Sequence, residues 1–110
     1  MADSEGDVVF KIEGRNYYIA VTEYDLEYFR IVFPNFWEIE TETERRKVSA
    51  VIMSVSRTTK LAKVCIESWD NTYIDAAVFL NTPEDFKRHF TRMINTIQTA
   101  RRKFVDGMNG

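Results

Sequence analysis

The chain has 110 residues, 45% of them hydrophobic and 14% aromatic, so it can fold as one domain around a single core and is not a disordered chain. Its net charge of −2 gives no overall attraction to nucleic acid or to anionic membranes. The charge is uneven, because residues 1–45 hold 11 acidic and 4 basic side chains while the remainder is net basic. We expect the acidic first part to attract the basic second part, within one chain or between two copies.

The first segment, residues 1–7, is small and acidic, and we expect a disordered tail because it has nothing to bury. It lacks the basic and apolar regions of a signal peptide, and no apolar run is long enough to span a bilayer. Cys65 is the only cysteine, which excludes an intrachain disulfide and fits a reducing compartment. These features predict a cytoplasmic protein with no membrane segment.

Three strands are predicted before the first helix, because residues of alternating polarity or high strand propensity are separated by turn residues. They cover residues 8–13, 17–21 and 28–33. Turn residues at 14–16 make the first two a hairpin, and residues 22–27 form a polar connector. Pro34 interrupts the third strand because it cannot donate to the ladder. Residues 36–39 then either continue that strand beyond a bulge or form an exposed aromatic corner.

A helix is predicted over residues 42–59, with Thr41 as its N-cap. Glu44 follows Thr41 at the spacing of a capping box. The apolar face is narrow and consists of Val48, Val51, Ile52 and Val55. Ala50 and Met53 fall outside that face, on an otherwise polar surface.

Two further strands, at residues 61–67 and 72–80, are joined by a tight turn at Asp70 and Asn71. The fifth strand has one aliphatic face and one mixed face, which indicates partial exposure or a partner. The mixed face consists of Tyr73, Asp75, Ala77 and Phe79.

The final helix is predicted over residues 82–108, with Thr82 as its N-cap, Pro83 in its first turn and Gly107 as a left-handed stop. Its apolar residues cover an arc of roughly 140° at about 100° per residue. That arc is too wide for a two-stranded coiled coil, so we expect the helix to pack on a sheet. The resulting order, β-β-β-α-β-β-α, predicts a single α+β domain at 8–108, with a mainly antiparallel sheet and two helices packed on it.

Three residues of this helix receive specific expectations. Phe90 and Ile97 lie in the middle of the apolar stripe, so we expect their truncation to be the most damaging. Arg101 also lies within the apolar arc. It either extends along the edge of the core or pairs across an interface.

We find no catalytic signature. His89 is the only histidine and falls beside the apolar stripe, so a zinc site with ordinary ligands is not expected. Nothing near Cys65 in the sequence would activate it as a nucleophile. The glycine spacings of phosphate and dinucleotide loops are missing. We therefore expect no enzyme, no metal and no cofactor.

Two charged patterns have alternative interpretations. Acids occupy every second position from Glu38 to Glu44, namely Glu38, Glu40, Glu42 and Glu44. In an extended segment they would form an acidic edge that could bind a cation or a basic peptide. Alternatively, they stabilise the start of the first helix through its dipole. Basic side chains on both helices would suit a regulator that contacts nucleic acid, but a solvated charged face is the usual explanation. These are Arg45, Arg46, Lys47, Lys87, Arg88, Arg92, Arg102 and Lys103.

Three stretches, together with the element order, resemble the YbjN family across residues 8–108. They are the helix-to-hairpin passage KVSAVIMSVSRTTKLAKVCIES, the strand TYIDAAVFL and the ending TPEDFKRHFTRMINTIQTARRKFVDGM. Domains of this family share the fold of type III secretion chaperones. The resemblance implies an antiparallel sheet covered by helices, often dimeric, that binds protein segments without catalysis. YbjN-like proteins are described as regulators of sensory transduction.

The leading hypothesis is a non-enzymatic, chaperone-like or regulatory domain that binds a protein segment and forms a homodimer. It depends on a surplus of apolar side chains outside the expected core, since such side chains mark interfaces when they are contiguous. The predicted interface consists of Phe36, Trp37, Met53, Tyr73, Phe79 and Arg101. The alternatives are a small-ligand binder or enzyme that uses the four glutamates in a sheet–helix cleft, and a regulator that contacts nucleic acid.

Overall fold

A computed structural model describes residues 8–20, 25, 27–67 and 70–110. The elements are β1 (Val8–Ile12), β2 (Arg15–Ala20), β3 (Tyr28–Phe33), α1 (Glu42–Thr58), β4 (Lys63–Ile66), β5 (Thr72–Phe79) and α2 (Pro83–Asn109). This order confirms the predicted α+β fold. The expected tail at residues 1–7, the end of the second predicted strand at Val21 and most of the connector at 22–27 lie outside the described residues.

The strands form one antiparallel sheet in the order β1-β2-β3-β5-β4. The β1–β2 turn consists of Glu13 and Gly14, both with positive φ (54° and 78°), as in the two-residue hairpin turns whose twist matches that of the strands. The prediction that the turn lies at 14–16 was therefore wrong, since β2 already begins at Arg15. At the centre of the sheet β3 pairs with β5, and the chain between them forms α1 and β4.

The β4–β5 turn is wider than the predicted pair of residues. The Asp70 amide donates to the Glu67 carbonyl at 3.2 Å, and the Glu67 amide donates to the Asn71 carbonyl at 2.7 Å. Asp70 has a φ of 63°, a left-handed conformation that aspartate tolerates better than most residues. The hairpin is present, but its turn begins at Glu67.

The segment after β3 runs beside the start of β5. Asn35, with a φ of 52°, bends the chain. The Phe36 amide then donates to the Thr72 carbonyl at 3.2 Å, and the Ile39 amide donates to the Asp70 carbonyl at 2.8 Å. The strand therefore continues its pairing beyond a bulge, as the first alternative predicted. The exposed aromatic corner does not form, because Phe36 and Trp37 pack against the core.

Helix α1 begins with the predicted cap. The Thr41 hydroxyl accepts from the Glu44 amide at 3.0 Å, and the Glu44 carboxylate accepts from the Glu40 amide at 2.6 Å. The first bond satisfies an amide of the first helical turn, and the second fixes the residue that precedes the cap. On the predicted apolar face Val48 and Val55 are buried, so α1 is fixed to the rest of the domain along that face.

Helix α2 lies on the sheet with its apolar stripe inward, as predicted. Its buried residues are Phe86, Met93, Ile94, Ile97, Ala100, Phe104 and Met108. The Thr82 hydroxyl accepts from the Asp85 amide at 3.2 Å, which confirms the N-cap. Phe104 is fully buried, and its ring meets those of Phe36 and Trp37 with centroids 5.1 and 5.6 Å apart. Ile97 is also fully buried, whereas Phe90 is half-buried at the β1 side.

The prediction that Gly107 stops α2 was wrong, because the helix continues to Asn109. Gly107 instead faces α1. A Cβ at this position would lie 2.9 Å from Cγ1 and 3.3 Å from Cγ2 of Val51. Glycine is required here for the close approach of two helices and not for a left-handed conformation.

Candidate functional site on the open face of the sheet

The two faces of the sheet differ in what covers them. The face that contacts the helices carries Phe29, stacked on Phe86 of α2 at 4.7 Å, and Phe10, whose ring lies 5.4 Å from that of Phe90. Among the described residues, neither helix packs on the opposite face. We call that surface the open face, and its central side chains are Tyr18, Tyr28, Arg30, Cys65, Tyr73, Asp75, Ala77 and Phe79, together with Val32, which is only 1% exposed.

An ion pair occupies the middle of the open face. Arg30 Nε donates to Asp75 Oδ2 at 2.7 Å, and both side chains are largely shielded from solvent, with 25% and 18% exposed. The Arg30 guanidinium also lies over the Tyr73 ring, 5.7 Å from its centroid. Burial acts against the charged form, but the hydrogen bond and charge of Asp75 outweigh it, so the pKa of Arg30 is raised. The pair therefore holds the guanidinium charged and in a fixed position.

Tyr73 is tied to its cross-strand neighbour Cys65. A hydrogen bond between the two side chains, with a further contribution from burial, raises the pKa of Tyr73 to about 12. The phenol is therefore neutral at physiological pH. It can serve as an apolar ring with a hydroxyl, which is the usual role of tyrosine at interfaces.

The most exposed aromatic residue of the open face is Phe79, with 73% of its surface accessible. Its ring lies 5.2 Å from that of Tyr28 on the neighbouring strand β3, with an angle of 49° between the ring planes. The two rings form one aromatic ledge at the end of the sheet. An exposed aromatic ledge beside a fixed arginine has the composition of a protein-binding surface.

The predicted interface residues fall into three groups. Tyr73 and Phe79 are brought together on the open face with Arg30 and Asp75. Phe36 and Trp37 were wrongly expected to be exposed, because both are partly buried against the core, where their rings meet that of Phe104 of α2. Met53, 60% exposed, lies on α1, and Arg101 is half-buried on α2.

Sequence reasoning missed Tyr18, Tyr28 and Arg30 as members of this surface. The sequence contained part of the information that would identify them. Alternation along the third predicted strand places Tyr28 and Arg30 on the same face, just as it separates the two faces of the fifth strand. The pairing of that strand with β5 was not visible, so nothing in the sequence joined Arg30 to Asp75.

The acidic run serves the start of α1. Glu44 accepts the Glu40 amide, and Glu42 lies 3.9 Å from Arg45 within the first turn. Glu38 forms an isolated bridge with Asn71 through its backbone. Arg45 also pairs with Asp70. Glu40 and Glu42 line a small cavity of about 150 Å³ with Arg45 and Asp70, but Glu38 and Glu44 do not, which supports the helix-start interpretation.

Several basic side chains of the helices are engaged within the domain. Arg88 pairs with Asp85 at 2.9 Å. Lys103 donates to the Thr58 carbonyl, and Lys47 donates to the Gly110 carbonyl at 3.3 Å. The two lysine contacts tie α1 to α2, so part of the basic surface stabilises the packing of the helices.

Other kinds of site are not found within the described residues. No three His, Cys, Asp or Glu side chains are grouped so that they would hold a metal ion. No helix in this part of the chain is long and apolar enough to cross a membrane. Comparison of the sequence with models of known protein families finds no match, and comparison with curated proteins finds no similar chain.

Proposed function

We propose that this chain is a non-enzymatic protein-binding domain, chaperone-like or regulatory, that binds a protein segment on the open face of its sheet. We further propose that two copies associate through the same face as a homodimer. The observation that supports both is the set of aromatic side chains around the fixed Arg30. Tyrosine and arginine are the residue types most enriched where protein interfaces hold their binding energy.

The arrangement suggests how a partner would be held. Apolar groups of the partner would cover the ledge of Tyr28 and Phe79, and burial of a side chain as large as Phe79 contributes about 1.5–3 kcal/mol. The hydroxyl groups of the tyrosines would provide hydrogen bonds at the rim. Arg30 is already oriented by Asp75, so little side-chain freedom would be lost when a partner carbonyl or carboxylate meets it.

The resemblance of the sequence to the YbjN family supports the same interpretation, although it remains a prediction. What the resemblance implies, an antiparallel sheet with helices that binds protein segments and is often dimeric, agrees with a sheet of which one face is covered by neither of the two described helices. A cytoplasmic location also remains part of the proposal, supported by the single cysteine of the sequence, Cys65, whose thiol is free.

Self-association is tested by sedimentation velocity over a wide range of protein concentration. We expect the wild type to shift from monomer to dimer and Phe79→Asp to weaken the dimer about tenfold or more, because a charge would replace a buried ring. Met53→Asp is the matched control, since Met53 is similarly exposed but lies on α1. A wild type that stays monomeric at high concentration would contradict the homodimer, and a dimer lost only in Met53→Asp would place the interface on α1.

Partner binding is tested by capture from native lysate with the same three proteins. We expect a protein that is retained by the wild type and by Met53→Asp and is lost with Phe79→Asp. Retention by all three proteins would argue against the open face as the binding surface. Loss with Met53→Asp alone would move that surface to α1.

A further inference from the structure

A cavity of about 320 Å³ lies between the end of β5, the turn after α1 and one face of α2. Its lining is mainly apolar and includes Leu61, Val78, Leu80 and Met93. Met93 is almost fully buried and Leu61 is 41% exposed, so the cavity has a closed floor and an open mouth. Its volume is at the lower end of the range for small-ligand sites, roughly 300–1,000 Å³.

Positive charge surrounds the mouth of this cavity. Lys60 and Arg92 line it, His89 adds an imidazole, and no acidic side chain is among the lining residues. Within the described part of the chain, neither Lys60 nor Arg92 takes part in an ion pair. Among the residues that the structure describes, these two cations beside an apolar cavity therefore have no neutralising side chain.

A second cavity, of about 260 Å³, shares Lys60, Arg92 and Thr96 with the first. The rest of its lining is polar and consists of Thr58, Thr59, Asn95 and Thr99. An apolar cavity and one lined by threonine and asparagine side chains therefore lie side by side at the same two cations. This arrangement suits a ligand with an anionic head and an apolar tail better than it suits a bare anion.

We propose that these adjacent cavities bind a monocarboxylate with an apolar tail of medium length. The carboxylate would accept charge-assisted hydrogen bonds from Arg92 and Lys60, and the tail would fill the space over Met93 and Val78. The cavity borders the open face, because Phe79 also lines it, but protein binding on the open face does not require Arg92, Lys60 or Met93, so variants at these residues test this proposal separately.

The wild-type protein is titrated with octanoate, 1-octanol and octylamine, each below its aggregation concentration, and amide chemical shifts are followed by NMR. We expect saturable shifts with octanoate, centred on Leu61, Val78 and Met93. Octanol should bind about tenfold more weakly, since it loses the charge-assisted bonds, and octylamine more weakly still. Equal affinities for octanoate and octanol, or no saturable shifts with octanoate, would overturn the proposal.

Variants then locate the head group. Arg92→Gln and Lys60→Gln should each weaken octanoate binding about fivefold or more while leaving octanol binding unchanged. Arg88→Gln is the matched control on the same helix, because Arg88 is 72% exposed and pairs with Asp85. Unchanged octanoate affinity in both Arg92→Gln and Lys60→Gln would refute the site. If a variant does not fold, the comparison of ligands on the wild type still decides.

Discussion

The contact between Gly107 and Val51 predicts that Gly107→Ala lowers stability in the wild type but raises it when Val51 is replaced by alanine. In the wild type, the Cβ of Gly107→Ala would lie within 3.3 Å of both methyl groups of Val51. Such overpacking costs about 1–3 kcal/mol. Alanine in place of glycine in a helix returns up to about 1 kcal/mol. The net expectation is a loss of about 1 kcal/mol in the free energy of unfolding.

In a Val51→Ala background, the two methyl groups that cause the clash are gone. Gly107→Ala should then raise the free energy of unfolding, by about 0.5–1 kcal/mol, because only the gain in helix propensity remains. The expected coupling between the two positions is about 1–3 kcal/mol, within the range for residues in contact. Val51→Ala alone should be destabilising, since it removes packed methyl groups.

Urea unfolding of the wild type, the two single variants and the double variant measures this cycle directly. Arg102→Ala, at an exposed position on the same helix, is the control and should change stability by less than about 0.5 kcal/mol in either background. If Gly107→Ala has the same effect in the wild type and in the Val51→Ala background, the two helices do not meet through these residues.

Two tyrosines provide the remaining predictions. Tyr17 is 1% exposed, and its hydroxyl has no hydrogen-bond partner within the described chain. Tyr17→Phe should therefore raise the free energy of unfolding, measured in urea, by about 1 kcal/mol. A lower free energy of unfolding would mean that the hydroxyl is hydrogen-bonded in the wild type. The pKa of Tyr73 is raised to about 12 in the folded protein, whereas an unfolded tyrosine has a pKa of about 10. Tyr73 therefore adds stability that is fully present below pH 10 and is lost as the pH rises through 12. Cys65→Ala should lower that pKa, measured by phenolate absorbance, and an unchanged titration would exclude the hydrogen bond.

The sequence predicted the elements well because their signals are local. Helical periodicity and the caps at Thr41 and Thr82 depend on residues a few positions apart, and both caps are confirmed. The errors arose where the deciding partner is distant in sequence. Gly107 near a helix end looks like a stop until α1 is in place, and Phe36 and Trp37 look exposed until Phe104 supplies their partner.

The candidate site shows the same division. Alternation along the fifth strand predicted a mixed face with Tyr73 and Phe79, and the structure places both on the open face. The arginine at the centre of that face could not be joined to Asp75 without the register of β3 against β5. The cavity beside α2 depends on three segments brought together by tertiary packing, so no sequence pattern indicated it.

The Arg30–Asp75 pair also joins residues 45 positions apart, on the two strands that hold the sheet together at its centre. On either side of that junction the pairings follow chain order, β1 with β2 and β4 with β5. Closing the long loop costs chain entropy before the central ladder returns any contact energy. We therefore expect formation of this junction to be the slow topological step by which the two halves become one cooperative folding unit.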